Sequence, residues 1–233
     1  MRLRIPARPL LAGALSLTTT GVVAGTGLAQ EPGPAAPPPV PTTAKQAAPA
    51  KPRITVQHRR LHVRAGERTA VRGRVLPVRA GLPMRLQARD GGRWVTLDRG
   101  RTRVSGRYAL RAREHAAQSA RVRVTVGRGH GVRRGTRTVG RLNVYRSAYA
   151  SWYGPGLYGN HLGCGGTLNS GSLGVAHKTL PCGTKVTLRH NGRSVRVPVI
   201  DRGPYVGGRE YDLTAATAQT LRFRGHGSIL VTR

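Results

Sequence analysis

Apolar and polar residues alternate in several short runs between Ile54 and about Tyr145. Three of these runs are Met84–Arg89, Tyr108–Ala112 and Val122–Val126, and arginine fills many of the polar positions. A period of two places successive side chains on opposite faces of an extended chain, so each run predicts a β-strand with one buried and one solvated face. Several such strands at this spacing predict a small β-sandwich over residues 54–146.

Turn residues between these runs support the same arrangement. Asp90-Gly91-Gly92 is a hairpin signal, which places Trp94 and Val95 at the start of the returning strand. The sequence also predicts a bend at Leu76-Pro77 and a late strand that begins at Ser105–Tyr108. This order resembles the immunoglobulin-like modules of secreted bacterial proteins.

The last part of the chain, residues 147–233, also favours β structure. Asn191-Gly192 is a strong hairpin signal between two strand candidates. One helix is predicted at Leu213–Leu221, with Asp212 or Thr214 as its N-cap. A mostly β unit with one short helix fits a closed barrel better than a sandwich. The predicted strands are Ala148–Tyr153, Lys185–Leu188, Val195–Ile200 and Gly227–Thr232.

The N-terminus has the layout of a secretory signal. Residues 1–9 carry three arginines and no acid, and residues 10–29 are uncharged and end in Gly27-Leu28-Ala29. We therefore predict a signal peptide at 1–29 and a secreted, wall-associated protein, with an uncleaved membrane anchor as the alternative. Residues 30–53 are rich in Ala and Pro, which predicts a disordered linker.

Positive charge is extreme and unevenly distributed. The chain has a net charge of +32; residues 54–146 hold 24 Lys and Arg against 4 Asp and Glu, whereas residues 147–233 hold 10 against 3. Such a field attracts polyanions. In an exported protein this favours anionic wall polymers over specific nucleic-acid binding. The alternative is a solvated arginine-rich surface with no ligand.

The two cysteines, Cys164 and Cys182, lie close together in the sequence. In an oxidising compartment this favours a disulfide, which would stabilise the fold by about 3 kcal/mol. Reduced or metal-bound thiols are the alternative, but a matching Cys/His pair at ligand spacing is missing from the sequence. We therefore expect no metal and no cofactor.

Carboxylates collect near the end of the chain. Of eight acidic residues, Asp201, Glu210 and Asp212 fall within a dozen positions, and no other acidic side chain follows Glu114. Acid–base chemistry is therefore expected in this cluster. Glu210 is expected to be an exposed loop charge.

Four ordered motifs over some 85 residues resemble the double-psi β-barrel domain of the rare lipoprotein A family, which is related in fold to expansins. The resemblance covers the last third of the chain. The motifs are Ala150-Ser151-Trp152-Tyr153-Gly154, Ala176–Thr184, Asp201-Arg202-Gly203-Pro204-Tyr205 and Tyr211-Asp212-Leu213-Thr214.

The resemblance implies action on peptidoglycan glycan strands. Family members include lytic transglycosylases, which cleave the glycan and close a 1,6-anhydro ring with one catalytic carboxyl group, whereas ordinary glycoside hydrolysis usually needs two. Asp201 matches the family's principal acid, and His177 and Asp212 complete the expected catalytic set. We expect a monomer. The expected substrate-binding residues are Trp152, Tyr153, Thr167, Arg202 and Tyr205.

One segment departs from the family pattern. Members usually carry a Glu and an Asp before the histidine, but the matching run Cys164–Asn169 has Gly166 and Asn169 at these positions. The cysteine pair is interpreted as a staple between this loop and the strand after His177. The departure favours the alternative of a non-catalytic, expansin-like protein that binds or loosens the wall.

Each expected site residue has a structural alternative. His177 could be a structural histidine, and Asp212 could serve as a helix cap. Tyr153 and Tyr205 could be core aromatics. Asp201 itself could be a turn residue paired with the neighbouring arginine.

Overall fold

The computed structural model describes residues 48–233. The predicted signal peptide and residues 30–47 of the predicted linker lie outside this range. At its beginning, Ala50 forms a parallel bridge with Val132. Over the described residues, no helix combines the length and the apolar character that crossing a membrane requires.

The first region of the described chain is built from β-strands that pack as two sheets. One sheet has the antiparallel order β1–β3–β6; the other runs β5–β4–β7–β8, and β2 pairs in parallel with β8. The strands up to Tyr153 are β1 (Arg53–Arg60), β2 (His62–Arg64), β3 (Arg68–Leu76), β4 (Pro83–Asp90), β5 (Arg93–Arg101), β6 (Arg107–Arg113), β7 (Gln118–Val126) and β8 (Gly135–Tyr153).

The alternating pattern produces this arrangement directly. Met84, Leu86 and Ala88 of β4 are buried, whereas Arg85 between them is exposed. The buried residues of both sheets join one apolar cluster, which removes their side chains from water and stabilises the pair of sheets. The predicted alternation is confirmed on β6 and β7 as well.

The predicted hairpin at Asp90-Gly91-Gly92 is confirmed. Asp90 pairs with Arg93, and both glycines between them have positive φ angles of 49° and 87°. Two positive φ values in a two-residue loop match the twist of the flanking strands, and glycine adopts them without a Cβ clash.

The second region is a barrel of six strands. The order β12–β9–β11–β10–β13–β8 is closed by an additional pairing between β12 and β8. Its interior holds a second apolar cluster that includes Val186, Leu188 and Leu213. The new elements are β9 (Val175–Ala176), β10 (Lys185–His190), β11 (Arg193–Asp201), β12 (Tyr211–Thr214), α1 (Ala215–Leu221) and β13 (Gly227–Val231).

Strand β8 belongs to both regions. Its first part pairs with β7, and its last part pairs with β12 and β13. Because one continuous 19-residue strand belongs both to the β5–β4–β7–β8 sheet and to the barrel, the two regions share backbone hydrogen bonding through it.

The helix begins two residues later than predicted. Leu213 and Thr214 lie in β12, and α1 starts at Ala215. Thr214 is the N-cap, and its hydroxyl accepts a hydrogen bond from the Thr217 amide. The alternative role of Asp212 as the helix cap is therefore wrong.

Candidate functional site

Two carboxylates lie in one row across the barrel wall. Asp201 of β11 and Asp212 of β12 are both register partners of Ala176 on β9, and Asp212 is also the partner of Ser151 on β8. Because the pairing of Asp201 with Ala176 follows a register shift after Val199, the common neighbour Tyr153 is what shows that the two carboxylates lie near each other. Since Asp201 and Asp212 flank one strand, their backbones are about 10 Å apart.

Asp201 is held by three hydrogen bonds. Its Oδ1 accepts from the backbone N–H groups of Gly163 (2.7 Å) and Arg202 (2.8 Å). Its Oδ2 accepts from the hydroxyl of Tyr153 at 3.0 Å. The carboxyl group is half-buried. The two backbone donors fix its orientation and leave Oδ2 with a single polar partner.

Tyr153 links the two acids electrostatically. Burial of its phenol, followed by the nearby charge and hydrogen bond of Asp201 and then the charge of Asp212, raises its pKa. The hydroxyl therefore stays protonated and acts as a hydrogen-bond donor to Asp201. Tyr153 lies two residues after Ser151 on β8, so both side chains project from the same face of that strand.

Asp212 is bonded to the barrel wall through Ser151, whose hydroxyl donates to Oδ1. Ser151 is only 5% exposed, and it also accepts a hydrogen bond from Nη1 of Arg209 at 3.1 Å. Sequence analysis did not identify Ser151, although its position two residues before Tyr153 in a strand motif is a usable signal.

His177 is held by contacts other than the carboxylates of the row. Its Nδ1 accepts from the backbone N–H groups of Thr179 (3.1 Å) and Leu180 (3.0 Å), and its ring packs on Tyr211 with centroids 4.8 Å apart. The link to Asp201 is through the backbone, from His177 N–H to the Asp201 carbonyl. Burial lowers the pKa of His177 more than the charge of Glu210 raises it. The structure thus does not bring the imidazole into a hydrogen bond with Asp201 or Asp212.

Glu210 forms a second charged cluster beside this histidine. Its carboxylate is bonded to both terminal nitrogens of Arg146 and lies 3.7 Å from Nε2 of His177. The hydrogen bond from Arg146 lowers the pKa of Glu210 against the opposing effect of burial. Glu210 lies in a loop, as expected, but it is not a fully exposed charge, because its side chain is 35% exposed and paired with Arg146.

The guanidinium of Arg202 makes its contacts within the protein. Its guanidinium donates to the carbonyls of His177 (3.3 Å) and Leu180 (2.9 Å) and contacts Sγ of Cys182 at 2.9 Å. These contacts take up the nitrogens expected to bind substrate. They also remove the alternative in which Asp201 is a turn acid paired with the guanidinium of Arg202, because only the backbone N–H of Arg202 contacts that carboxylate.

A disulfide joins Cys164 to Cys182, as the sequence predicted. Cys164 donates its backbone N–H to the carbonyl of Ile200, next to Asp201. Gly163, the preceding residue, is the one that donates to the Asp201 carboxylate. A Cβ at Gly163 would lie 2.9–3.1 Å from atoms of Arg202, so a larger residue would displace this donor. The staple therefore holds a loop that orients the expected acid.

The positions that depart from the family pattern lie in this stapled loop. Gly166 has a φ of 81° with open space around its missing Cβ, and Asn169 is exposed, with its Oδ1 accepting from the Gly171 amide at 2.9 Å. Thr167 is exposed and bridges to His161. The stapled loop carries no carboxylate side chain, since the sequence has none between Glu114 and Asp201.

The expected aromatic residues lie on different surfaces. Tyr205 follows Asp201 in a loop and is 83% exposed, so it is not a core aromatic. Trp152 is adjacent to Ser151 and Tyr153 on β8, so its side chain projects from the opposite face, where it lines a shallow apolar depression with Pro155 and Phe223. The structure therefore does not bring Trp152 together with Asp201.

Within residues 48–233, no group of three or more His, Cys, Asp or Glu side chains is arranged to hold a metal ion. The row itself presents carboxyl, hydroxyl and backbone N–H groups. A carboxyl oxygen beside a protonated phenol is suited to proton transfer with a bound hydroxyl or ether oxygen.

Comparisons with known proteins match the barrel region of the chain to a family. Residues 146–232 match the family described as lytic transglycolase. Over 100 residues the chain is 42% identical to a probable endolytic peptidoglycan transglycosylase RlpA of Synechocystis, covering 38% of this chain and 31% of the relative. It is 46% identical over 93 residues to the endolytic peptidoglycan transglycosylase RlpA of Campylobacter jejuni, covering 39% and 34%.

A comparison with solved structures finds a Streptomyces papain inhibitor. It is 27% identical, covers 38% of this chain and 92% of the inhibitor, and has a TM-score of 0.32. The matched region spans about a third of the length of the two sequence relatives. On the family match and these identities, residues 146–232 form a domain of the rare lipoprotein A-like double-psi β-barrel family.

Proposed function

We propose that this protein acts outside the cytoplasm on peptidoglycan glycan strands, as a lytic transglycosylase with Asp201 as its general acid and base. The observation that carries the proposal is the row formed by Asp201, Tyr153 and Asp212 on one face of the barrel. The similarity to RlpA relatives named as endolytic peptidoglycan transglycosylases supplies the substrate class and the reaction.

In the first step, a protonated Asp201 carboxyl group transfers its proton to the glycosidic oxygen of the bound strand. The bond between C1 of the muramic acid and this oxygen breaks, and the glucosamine leaves with the new hydroxyl. Tyr153 supports this step because its hydrogen bond to Oδ2 stabilises the carboxylate that remains. General acid catalysis of this kind contributes about 10²- to 10⁴-fold to a rate.

In the second step, the 6-hydroxyl of the same muramic acid attacks C1 and closes the 1,6-anhydro ring. Its proton passes to the Asp201 carboxylate, which restores the acid for the next cycle. No water is consumed, so no second carboxylate is needed to activate one. This balance suits a site in which the loop positions 166 and 169 carry Gly and Asn.

Asp212 has a supporting place in the proposal. Asp212 lies on the other side of β9 from Asp201, and its charge acts on Tyr153, the residue that contacts Asp201. Its charge and its hydrogen bond from Ser151 suit a role in stabilising positive charge that develops at C1. His177 positions the loop after β9 through its two backbone contacts.

Tyr205 is the proposed platform for a sugar ring. Aromatic rings present a large rigid apolar face with a polar edge, and Tyr205 is almost fully exposed four residues after Asp201. Thr167, exposed on the stapled loop, is proposed to contact the same glycan from the other side of Asp201.

We further infer the organisation of the whole chain: a signal peptide at 1–29, a linker at 30–53, an immunoglobulin-like sandwich at 54–146 and the barrel domain at 147–233. Support for the sandwich comes from two packed sheets with a short strand, β2, that pairs in parallel with the last strand, β8. The protein is proposed to be secreted and monomeric, with the arginine-rich sandwich as an accessory contact to an anionic wall polymer.

A second function is favoured by one specific observation. The stapled loop carries Gly166 and Asn169 at the positions where members of the family usually have carboxylates. No atom lies within 4 Å of a Cβ added at Gly166. A barrel that retained glycan binding and lost turnover would act as a non-catalytic, expansin-like protein that binds or loosens the wall.

Digestion of purified glycan strands lacking stem peptides separates these two functions. Products with anhydro-muramic ends are measured by mass spectrometry for the wild type, Asp201→Asn and the control Asp98→Asn, an acid of the sandwich. We expect such ends with the wild type and the control and a loss of about 10²-fold or more with Asp201→Asn. Binding of the strands without any anhydro product from the wild type would establish the non-catalytic function instead.

A further inference from the structure

Two strands of the sandwich carry the same spacing of arginines. Strand β3 reads Arg-Thr-Ala-Val-Arg-Gly-Arg from residue 68 to 74, and β6 reads Arg-Tyr-Ala-Leu-Arg-Ala-Arg from residue 107 to 113. In both, alternate residues are Arg, Ala, Arg and Arg. The intervening residues are buried, so the arginines all project from the outer face of the β1–β3–β6 sheet.

The register of the two strands brings like charges face to face. Arg68 is directly opposite Arg113, and Arg74 is directly opposite Arg107. Arg72 and Arg111 are opposite Ala109 and Ala70. Like charges directly across a strand pair destabilise a sheet. All six side chains are exposed, and they form a two-column ladder about 20 Å long, which we call the arginine ladder.

Acidic side chains do not neutralise the ladder. Among residues 48–233, the carboxylates within 4.0 Å of a basic nitrogen belong to Glu67 and Glu210, and neither contacts a ladder guanidinium. Asp98 lies beside β6, but it accepts from the backbone N–H of Arg111 at 2.7 Å. The sheet thus bears an uncompensated repulsion that a bound anion would relieve.

The middle of the ladder forms a depression. Arg72, Arg107 and Arg111 line it together with Arg103 from the preceding loop, and Ala109 leaves space between them. Guanidinium groups bind phosphate oxygens in a planar, bidentate geometry. Four arginines lining one depression with Gly73 and Ala109 therefore provide a seat for an anionic group, with further charges along both columns.

The surface chemistry indicates what kind of polyanion fits. The three strands of this sheet expose no Phe, Tyr or Trp, since Tyr108 is buried. Proteins that bind single-stranded nucleic acids combine positive charge with exposed aromatic rings that stack on bases, and the ladder lacks the second component. Arg72 and Arg74 on β3, and Arg111 and Arg113 on β6, are about 6.8 Å apart along their strands, so a phosphodiester chain lying along either column meets successive guanidiniums.

We propose that the arginine ladder is a binding site for a polyol-phosphate polymer of the cell envelope, a phosphodiester chain without bases. The choice of an envelope polymer rests on the proposed extracytoplasmic function. The ladder would hold the protein in the wall while the barrel domain contacts the glycan.

Binding of synthetic glycerol phosphate oligomers by the full chain tests the site. Isothermal titration calorimetry at several salt concentrations compares the wild type with the ladder triple variant Arg72→Gln/Arg107→Gln/Arg111→Gln. The matched control is Arg85→Gln/Arg93→Gln/Arg121→Gln, which removes the same charge from exposed positions outside the ladder. None of the six side chains makes a hydrogen bond to the protein, so both variants are expected to fold.

We expect the ladder variant to bind at least about tenfold more weakly and the control to change about twofold or less. In the ladder variant, the slope of log K against log salt should fall by about one for each arginine removed. Equal weakening in both variants would overturn the proposal, because attraction would then depend on net charge alone. So would a wild type that does not bind the oligomers at all.

Two competitor ligands test the chemistry of the partner. Duplex DNA and a carboxylate polymer, polygalacturonate, should bind more weakly than the glycerol phosphate oligomers at physiological salt, and tighter binding of either would overturn the assignment. Glycan cleavage is measured on the same samples. A wild type that binds the oligomers but produces no glycan cleavage would count against the proposed transglycosylase and leave the ladder proposal intact. A wild type that cleaves glycan but does not bind the oligomers would count against the ladder alone.

Discussion

The sandwich and the barrel are both β structures, but they place their polar groups differently. In the sandwich, arginines occupy the exposed strand positions, and the half-buried acids accept hydrogen bonds from scattered partners: Glu67 from Arg60, Asp98 from the Arg111 amide and Glu114 from Gln118. In the barrel, all three acids are partly buried and each is bonded to a specific partner: Asp201 to Tyr153, Asp212 to Ser151 and Glu210 to Arg146. The difference is one of clustering: the bonded acids of the sandwich lie apart, whereas the barrel brings Asp201 and Asp212 close to one side chain, Tyr153.

The largest expected effect is on stability and tests whether the two regions are independent. The double variant Cys164→Ser/Cys182→Ser should lower the free energy of unfolding of the barrel by about 3 kcal/mol, because the loop closed over 18 residues regains its entropy in the unfolded chain. The sandwich, which has no covalent staple, should change little.

The two tryptophans, Trp94 in the sandwich and Trp152 in the barrel, allow each region to be followed by fluorescence. Urea denaturation is measured in Trp94→Phe and Trp152→Phe backgrounds, with and without the cysteine substitutions. Equal shifts at both probes would show that the shared strand β8 couples the regions into one cooperative unit.

The next effect tests whether a single polar contact matters in the barrel. Tyr153→Phe removes the hydroxyl that donates to Oδ2 of Asp201 and should lower glycan cleavage about tenfold and stability by about 1 kcal/mol. Anhydro-muramic products per unit time provide the measurement.

Tyr149→Phe is the matched control for this prediction. Tyr149 lies on the same strand, and its hydroxyl contacts His226 at 2.6 Å on an exposed surface. This variant should retain full cleavage. If both substitutions reduce cleavage equally, the loss follows from disturbing β8 and not from the contact to Asp201.

A gain of function is expected from restoring a carboxylate to the stapled loop. Asn169→Asp keeps the side-chain oxygen that accepts from Gly171, so stability should stay unchanged while cleavage rises a few-fold, roughly 1 kcal/mol in the barrier. Gly166→Glu restores the other acid at a φ of 81° and should cost about 1–2 kcal/mol of stability. Unchanged cleavage in both variants would show that the loop acids have no role in this chain.

The smallest effect concerns the pH dependence of the barrel. Burial holds the pKa of folded His177 below its usual value of 6.5. The unfolded chain therefore binds more protons in the interval between the two values, so the free energy of unfolding falls as the pH is lowered through 6.5 toward the folded pKa.

Two-dimensional NMR of the His177 ring gives its titration midpoint and tautomer. We expect a midpoint below 6.5 and a proton on Nε2 in the neutral form, because Nδ1 accepts from two backbone N–H groups. His58, which is exposed in the sandwich, provides the internal comparison. A midpoint for His177 above that of His58 would contradict the buried, neutral state.

Most of the strands could be predicted from the sequence, because amphipathic alternation is a local property. The hairpins at Gly91-Gly92 and Asn191-Gly192 are also local, since positive φ angles favour these residues. The short strands β9 and β12 were missed. Their two and four residues exist as strands only because distant strands pair with them, and so few residues carry no period.

The site was predicted in part. The motifs identified Asp201, Tyr153 and Asp212, which the barrel brings to one face. The substrate roles of Trp152 and Arg202 stay predictions: Trp152 projects from the other face of β8, and the guanidinium of Arg202 contacts two backbone carbonyls. The role of Glu210 was missed, because its partner Arg146 lies 64 residues earlier in the chain.

The sequence by itself determined the β class of both regions, the disulfide pair, the excess of arginine and the family of the barrel domain, since each depends on composition, local period or a motif of adjacent residues. Only the tertiary structure decided which carboxylates share a face, which acid Arg146 neutralises and which arginines form the ladder. These three features depend on strand register, which is set by pairing between residues far apart in the sequence. A change of register by one residue would move every side chain of a strand to the opposite face of the sheet.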